Sequence, residues 1–540
     1  MMLLEIKGIL LIDIGSILIQ VYKISGCVKM GFFKPKHQKI NHDYMQQLQK
    51  TNIDSIQVFS SFGENINFIK EFFNHSHDLM TYSFKLKQKE CVVFYLETLV
   101  DQDKLEQKFF NLIAQSTNDN VNMDSFILEH FPKSIIFAEI TKKMLLGFSI
   151  ILIDGEKHVF LIDTASNNER STDEPNNEKV VRGSHLGFVE SIVTNLNLIR
   201  TRINNQNLFI EYLTLGEITN TKIAIVHIKG IANEEVVKEV QKRLKSISSD
   251  MVFSPGYFEE FIEDTTSSPF PQMLNTERPD RVTANLIEGR IALLVDGSPT
   301  VLILPINFFS FYQSPDDYNS RAYIGTFIRV LRLCSFILAV TLPALYIAII
   351  GFHFEVLPEE LVLTVKGAVE NVPYPPLIEA LIMELTIELI REAGIRLPSA
   401  IGPTIGIVGG LVIGDAIVKA GLVSNTMVVV VATTAIASYV VPSNEMSAAV
   451  RLLRFPMMMA AATFGFVGIV FGLMILVIHL CNLESFGSPY FAPIAPFRLK
   501  DLKDAIVRVP VWKMNTRPLD HKPIKVLQQS RSRKWKKNEE

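Results

Sequence analysis

Four carboxylates share one apolar stretch, "PPLIEALIMELTIELIREAG", which holds Glu379, Glu384, Glu388 and Glu392. At roughly 100° per residue the last three advance about 40° per step, so they form one slanting acidic stripe on a helix. Glu379 points away from this stripe, and Arg391 lies close to Glu388. A helix exposed to lipid does not hold four carboxylates, so it either lines a polar cavity or lies at the membrane interface. The acidic face favours the cavity, because acidic rings are one way to build a cation pore.

Glycines recur at every fourth position in the apolar stretch "IGPTIGIVGGLVIGDAIVKAGLV", namely Gly402, Gly406, Gly410 and Gly414. This spacing predicts a flat face on which another helix packs, because close backbone approach drives helix association in lipid. The partner is either a neighbouring span of the same chain or an identical subunit. Asp415 and Lys419 follow at a spacing that allows an ion pair. The pair is either an interfacial salt bridge or, with Asp415 beside the acidic stripe, part of a polar cavity.

The sequence contains no P-loop, GxSxG or HExxH motif, and its eleven histidines are scattered. The four cysteines are Cys27, Cys91, Cys334 and Cys481, without CxxC spacing. This pattern argues against a disulfide framework or a zinc site and fits a reduced cytoplasmic domain. We therefore expect a protein that is not an enzyme, with no catalytic residues, no cofactor and no metal.

Apolar residues are concentrated in the second half of the chain. The 540 residues are 48% hydrophobic, with a mean hydropathy of +0.24, and nearly all long apolar runs fall between Leu333 and Cys481. The segment from Arg498 onward carries thirteen Lys/Arg against five Asp/Glu, although the whole chain has a net charge of −3. A basic tail after membrane spans marks the cytoplasmic side, and this placement is favoured over nucleic-acid binding. The apolar N-terminus lacks a signal-peptide cleavage site, and Met30 is an alternative start.

The first 320 residues predict a mixed α/β domain in two lobes. "CVVFYL" predicts a buried strand, "KIAIVHI" another, and the Asp-Gly pairs at 154–155 and 296–297 predict two hairpins. "DKLEQKFFNLI", "GFVESIVTNLNLIRTRI" and "NEEVVKEVQKRLKSI" have helical periodicity. The polar run between residues 164 and 183 predicts a linker between the lobes.

Candidate spans are 333–354, 375–394, 401–423, 427–441 and 455–481. Arginines at the span ends place the α/β domain inside, but five crossings would leave the basic tail outside. Either "ESFGSPYFAPIAPF" re-enters or completes a sixth crossing, or one earlier segment dips without spanning. The predicted fold is a cytoplasmic N-terminal α/β domain of two lobes, followed by a polytopic α-helical membrane domain of four to six spans with both termini inside. The predicted divisions are 1–80 variable, 81–163 lobe 1, 164–183 linker, 184–320 lobe 2, 321–497 membrane domain and 498–540 basic tail.

From about Cys91 to about Val511 the chain resembles the A subunits of the GerA-type germinant receptors of bacterial endospores. The resemblance is carried by "SPFPQMLNTERPDRVTANLIEGRIALLVDGSPTVLILP", "QSPDDYNSR", "RGSHLGFVESIVTNLNLIRTRI", "SFGSPYFAPIAP" and the two membrane stretches quoted above. The first 80 residues and the basic tail match nothing in the family pattern. Asp415 and Lys419 depart from it, so the resemblance gives that pair no role.

This resemblance implies a multi-pass protein of the spore inner membrane, with a transporter-like B subunit and a lipoprotein C subunit as partners and no nucleic acid. It further implies a ring of A subunits, a pentamer, that forms a nutrient-gated channel for monovalent cations. The stiff segment before the first span would help to transmit gating, since proline fixes the backbone; an ordinary structural linker is equally compatible. Its candidate residues are Pro269, Pro271, Glu277, Arg278, Pro279 and Asp280.

Two other functions are compatible with the sequence. One is a non-conducting scaffold that only anchors the receptor. The other is a secondary transporter, against which stands the lack of an internal repeat or of paired broken helices.

Overall fold

The computed structural model describes residues 56–86, 89–108, 131–166, 174–175, 177–370, 372–397, 410, 414–530, 532–533 and 535. Contacts divide the chain into two compact units, residues 1–56 and 57–540. All elements named below lie in the second unit. Two α/β lobes come first, as predicted, and a helical domain follows.

Lobe 1 is a five-stranded antiparallel sheet with helices packed on it. Its elements are α1 (Phe62–Phe72), β1 (Leu79–Leu86), β2 (Lys89–Leu96), β3 (Lys133–Ser134), α2 (Phe137–Met144), β4 (Phe148–Ile153) and β5 (Val159–Asp163). The sheet order is β1-β2-β4-β5-β3. The hairpin predicted at Asp154-Gly155 is confirmed, and Gly155 has a φ of +81°, which favours glycine. Helix α1 and the start of β1 lie within the segment predicted as variable.

Lobe 2 repeats this topology. Its elements are α3 (Ile192–Arg202), β6 (Leu208–Leu215), β7 (Thr221–Ile228), α4 (Glu234–Lys245), α5 (Pro255–Ile262), β8 (Leu274–Thr276), α6 (Pro279–Glu288), β9 (Ile291–Val295) and β10 (Val301–Leu304). The order β6-β7-β9-β10-β8 places the strands in the same succession as in lobe 1. The second predicted hairpin, β9–β10, is also confirmed. The two lobes are therefore topological copies, which the sequence did not reveal.

The sheet of lobe 2 is covered on both faces. Ala292 and Leu294 pack with α3 and α6, whereas Ile291, Leu293 and Val295 pack with α4 and α5. Because alternate residues of a strand face opposite sides, two buried faces require an uninterrupted apolar run. This explains the all-apolar sequences of β9 and β10.

The two lobes are joined by a buried ion pair. Asp78, just before β1, lies 2.6 Å from Arg200 of α3, and both side chains are fully buried. Ser76 and Thr98 donate hydrogen bonds to the same carboxylate at 2.5 Å and 3.1 Å. The charge of Asp78 is thus fully partnered, as a buried carboxylate requires.

The helical domain begins at lobe 2 and ends on it. The short helix α7 (Pro315–Asn319) ends lobe 2, and the elements that follow are α8 (Ala322–Phe352), α9 (Glu359–Glu370), α10 (Pro376–Arg396), α11 (Asn425–Tyr439), α12 (Asn444–Phe464), α13 (Phe466–Asn482), β11 (Glu484–Ser485), β12 (Ser488–Pro489) and α14 (Leu502–Ala505). Within the described residues, α8 alone is long and apolar enough to span a bilayer by length and composition, and α11 and α13 are shorter apolar helices. Most of the predicted span 401–423 lies outside the described residues, although 414–419 are helical.

The prediction of one long helix over 455–481 is wrong. Gly465, with a φ of +60°, separates α12 from α13. A Cβ on Gly468 would lie 2.0 Å from the carbonyl oxygen of Ala460. In a straight helix these residues would be about 12 Å apart along the axis, so α12 and α13 form a helical hairpin.

The segment "ESFGSPYFAPIAPF" packs on lobe 2, which contradicts its predicted re-entry or sixth crossing. Ser485 donates a hydrogen bond to the carbonyl of Gln272 at 2.8 Å, and Phe308 N donates to the carbonyl of Tyr490 at 2.8 Å. The tail continues along the same lobe, where Ile524 N donates to the carbonyl of Ile231 at 2.9 Å. Lobe 2 and the tail are therefore on the same side of the helical domain.

Candidate functional site

The acidic stripe lies on α10, and its first member is buried inside the bundle. The carboxylate of Glu384 is 2% exposed and forms an ion pair and hydrogen bond with Arg454 of α12. Because this carboxylate is shielded from solvent, the arginine is its required counter-charge. Glu384 thus joins α10 to α12 instead of facing an open surface of this chain.

Glu388 and Glu392 lie progressively nearer the C-terminal end of α10 and are more exposed. Glu388 lies 3.3 Å from Arg451 of α12, and its side chain is 43% exposed. Glu392 pairs with Arg396 of the same helix at 2.6 Å, and both are exposed. Of the three stripe carboxylates, Glu388 combines an exposed side chain with a position between two helices.

The other polar groups of α10 also bind neighbouring helices. Glu379 is buried and accepts a hydrogen bond from Ser424 N, at the start of α11, at 2.5 Å. Arg391 lies about one turn from Glu388 on α10, but the ion pair described for Glu388 is with Arg451. The guanidinium of Arg391 instead donates to Tyr439 Oη at 3.0 Å and to Ser438 Oγ at 3.2 Å, at the end of α11. Helices α10 and α11 therefore run side by side in the same direction.

The glycine stripe is described only at Gly410 and Gly414, since Gly402 and Gly406 lie outside the described residues. A Cβ on either of the two would meet no atom within 4 Å. Nothing in the described part of this chain packs on that face. Asp415 pairs with Lys419 at 2.7 Å, and both side chains are largely exposed.

The residues predicted to connect the lobe to the helices form a folded corner of lobe 2. Arg278 is buried, and its guanidinium binds Asp280 with nitrogen–oxygen distances of 2.8 Å and 3.1 Å. Pro279 is the first residue of α6, where a missing N–H costs nothing. The carbonyl of Glu277 accepts a hydrogen bond from Phe188 N at 2.9 Å. Arg278, Pro279 and Asp280 thus stabilise the lobe itself.

The proline-rich part of the same segment contacts the end of the helical domain. Ser268 Oγ lies 2.9 Å from His479 Nε2 near the end of α13. Tyr490, which follows α13 and is fully buried, donates its hydroxyl hydrogen bond to the carbonyl of Pro271 at 2.7 Å. Burial raises the pKa of Tyr490 well above its ordinary value, so it remains a donor. Pro269 lies between the two contacts, and no hydrogen bond of its own is described.

A charge cluster fixes the start of α8 to lobe 2. Asp317 is fully buried and lies 3.3 Å from Arg329 and 2.8 Å from Arg332. Arg329 also lies 3.0 Å from Asp504 of α14, which accepts a hydrogen bond from Tyr318 at 3.0 Å. Burial raises the pKa of Asp504, although Arg329 acts in the opposite direction. The cluster therefore binds the first long helix, α7 and the tail into one unit.

The sequence did not identify this cluster as functional. In the sequence, Arg329 and Arg332 indicate only that the start of the first span lies on the cytoplasmic side of the membrane. Their spacing of three residues also places both on one helix face. Ser314 and Asp317 form a capping box, which the pattern S-x-x-D before a helix indicates. Nothing in the sequence points to Asp504 or Tyr490 as partners, because their contacts join segments about 180 or more residues apart. Among the described residues, no group of three or more His, Cys, Asp or Glu could hold a metal ion.

We predict that Tyr490→Phe destabilises the contact between the lobe and the last helix. The half-buried carbonyl of Pro271 would lose its donor from the buried Tyr490, which costs about 1–3 kcal/mol. Thermal unfolding of the purified protein should show a lower Tm than wild type. Tyr323→Phe is the matched control, because Tyr323 is 90% exposed. Equal Tm values for the two variants would contradict a structural role for this hydrogen bond.

Comparison with known proteins connects these features to a family. Residues 67–519 match the model of the Bacillus/Clostridium GerA spore germination protein. The chain is 41% identical to "Spore germination protein KA" of Bacillus subtilis over 86% of this chain and 87% of that protein. It is 39% identical to "Uncharacterized membrane protein YfkQ" of the same organism, over 79% of this chain and 84% of that protein.

Among solved structures, the N-terminal domain of the A subunit of the Bacillus megaterium spore germinant receptor GerK3 is 32% identical, with a TM-score of 0.36. The match covers 47% of this chain and 98% of that one. The resemblance noted in the sequence is confirmed by the family model, which covers most of the chain. The protein belongs to the GerA spore germination protein family.

Proposed function

We propose that this protein is the A subunit of a nutrient-gated cation channel in the inner membrane of the spore. Several copies, a pentamer by family resemblance, surround one conduit, and a transporter-like B subunit and a lipoprotein C subunit complete the receptor. Family membership supports the role in germination. The observation that best supports a channel is that ion pairs and hydrogen bonds join lobe 2 to both the first and the last long helix.

The helical domain crosses the membrane six times in this proposal. Helix α8 leaves lobe 2 at Arg329, and its far end stacks His353 on Phe466 at 4.7 Å, at the turn between α12 and α13. Helix α13 returns to lobe 2, where His479 contacts Ser268. Helices α8, α12 and α13 therefore account for three crossings.

Helices α10 and α11 both end on the lobe side. Tyr346, near the far end of α8, bonds Ser424 at 3.0 Å, so α11 starts on the far side. Ser447, in the first turns of α12, donates to the carbonyl of Ser438 at the end of α11 at 2.9 Å. With the predicted span 401–423 as the return to the far side, the proposal has six crossings. An even number agrees with the contact between the tail and lobe 2 and keeps both termini cytoplasmic.

The contacts of lobe 2 provide a mechanical route from the soluble domain to the membrane. Asp317 binds the start of α8, and Pro271 and Ser268 bind the segment at the end of α13. A rigid lobe bonded to two helices moves both when it rotates, which is how domain motion opens an interface. In this proposal the segment from Ser268 to Pro271 is the rigid connection between lobe 2 and the end of α13, and Arg278, Pro279 and Asp280 keep the lobe itself rigid.

The conduit is formed between subunits. The face of Gly410 and Gly414 is unoccupied in the described part of the chain, which favours packing between subunits over packing within one. Glu388 is the stripe residue best placed to face an aqueous path, since Glu384 is buried against Arg454. Glu392 lines the cytoplasmic end of this path and Asp415 lies nearer its far end, each beside its own cation.

A non-conducting scaffold is the second candidate, and one observation favours it. Each of the four candidate pore carboxylates forms an ion pair with a basic residue of the same chain, namely Glu384, Glu388, Glu392 and Asp415. A ring of subunits would therefore present neutralised carboxylates and no free negative charge. A scaffold would keep the same ion pairs for stability alone. The two functions differ in whether the neutralisation of Glu388 changes ion flow.

We predict that Glu388→Gln slows cation release from nutrient-triggered spores about tenfold, which corresponds to about 1.4 kcal/mol at the barrier. Glutamine keeps the size of the side chain and a polar oxygen beside Arg451, so assembly should be normal by immunoblot of the inner membrane. Glu360→Gln, on the exposed face of α9, is the control for removal of one carboxylate. Normal potassium release by the Glu388 variant would leave the scaffold as the better assignment.

A further inference from the structure

A large open cavity lies near lobe 2, where α10 and α11 end and α12 begins. Its volume is about 900 Å³, and it reaches from Asn177, beside lobe 2, to Gly410. Its lining includes Ile387, Ile390 and Ile395 of α10 and the two arginines Arg391 and Arg451. The lining is thus apolar with a basic region, an arrangement that a purely aqueous vestibule does not need.

Arg391 has no acidic partner in this cavity. Its guanidinium donates to two neutral hydroxyls and lies 4.1 Å from the ring centroid of Tyr439. Its remaining nitrogen, Nη1, is buried without a hydrogen-bond partner among the described residues. The charge of this guanidinium is thus met only by neutral groups, so an anion in the cavity beside the accessible part of Arg391 would stabilise it.

The neighbouring charges do not neutralise Arg391. Glu384 forms an ion pair with Arg454, and Glu388 forms one with Arg451. Three arginines of α10 and α12 therefore share two carboxylates, which leaves one positive charge at the cavity. Arginine binds phosphate oxygens through its fork of N–H donors.

We propose that this cavity binds the phosphate headgroup of an anionic phospholipid from the cytoplasmic leaflet. Arg391, supported by Arg451, binds the phosphate, and an acyl chain lies along the isoleucines. The depth fits, because the lobe-side ends of the helices are at the inner membrane surface in the topology proposed above. Basic pockets between helices on the cytoplasmic side are suited to lipid headgroups.

The test uses the full-length chain purified in mild detergent and reconstituted in phosphatidylcholine nanodiscs with increasing fractions of phosphatidylglycerol. Native mass spectrometry counts bound lipid, and the Tm reports stabilisation. Wild type should retain phosphatidylglycerol and gain stability with it. Arg391→Gln should weaken this binding about tenfold or more, the loss expected for one ionic hydrogen bond. The control Arg396→Gln removes the same charge from the same helix, but at an exposed site already paired with Glu392, and should bind normally.

A second variant keeps the test valid if Arg391→Gln folds poorly. Gly394 lines the cavity, and a Cβ there would meet no atom within 4 Å. Gly394→Leu adds helix propensity and fills the cavity without changing any charge. It should lose phosphatidylglycerol, whereas Gly351→Leu, at an equally open glycine of α8 outside the cavity, should not.

Three results would overturn the proposal. The first is equal lipid retention by Arg391→Gln and Arg396→Gln, and the second is equal retention of phosphatidylcholine. The third is stabilisation by millimolar inorganic phosphate with none by phosphatidylglycerol, which would make the ligand a free anion. The site rests on the proposed membrane topology but not on conduction. A protein that retains the lipid and passes no ions would refute the channel and leave this site.

Discussion

Asp317→Asn should prevent the protein from accumulating in a folded state. Asp317 is the fully buried acceptor for both Arg329 and Arg332, at 3.3 Å and 2.8 Å. Asparagine keeps the size of the side chain but removes its charge, so two buried guanidiniums lose their shared counter-ion. Breaking a buried ion pair on one side costs about 3–5 kcal/mol, a large part of the stability of a typical domain.

The measurement for this prediction is the amount of protein in the inner membrane and its Tm after purification. Asp316→Asn is the matched control, because the neighbouring carboxylate accepts only backbone hydrogen bonds from residues 181 and 182. The control should lose about 1 kcal/mol or less. If both variants accumulate equally, the charge cluster does not hold α8 to lobe 2.

Gly468→Val should disrupt the hairpin of α12 and α13. A Cβ at Gly468 would lie 2.0 Å from the carbonyl oxygen and 2.5 Å from the carbonyl carbon of Ala460. Both are backbone atoms of the facing helix, so no side-chain rotation relieves the clash. Overpacking of this kind costs about 3 kcal/mol or more, and the hairpin supplies two of the six proposed crossings.

Gly472→Ala is the control for the hairpin variant. Its Cβ would meet only the side chain of Met457, at 2.6 Å from the sulfur. Because that side chain is unbranched and flexible, it can move aside, and we expect near-normal protein levels. The two variants are compared by protease protection of a C-terminal tag in inverted vesicles. A Gly468→Val protein with normal levels and an unchanged tag location would contradict the hairpin.

Local features of the fold were predictable where local chemistry determines them. The Asp-Gly turns fixed both hairpins, and alternation or continuous apolar runs indicated the strands of lobe 2. The prediction over 455–481 failed because hydropathy measures apolar content, which a straight helix and a hairpin share. Gly465 and Gly468 were the available signals, but glycine is also frequent within membrane helices.

The candidate site was predictable in its residue types and less so in its partners. Spacing placed Glu384, Glu388 and Glu392 on one face, and this is consistent with α10. The spacing could not show that Arg454 neutralises Glu384, because that contact joins residues 70 apart in the sequence. Likewise, the basic tail gave no sign that Asp504 completes the charge cluster at α8. Long-range pairing decides which charges are structural and which remain available.

Potassium flux through proteoliposomes tests the central claim most directly. The full-length chain is reconstituted with its B and C subunits, and a matched preparation contains B and C alone. With a panel of nutrients outside, the account predicts potassium efflux only from vesicles that contain this chain. Efflux from vesicles with B and C alone, or none from the complete receptor under any nutrient, would contradict it.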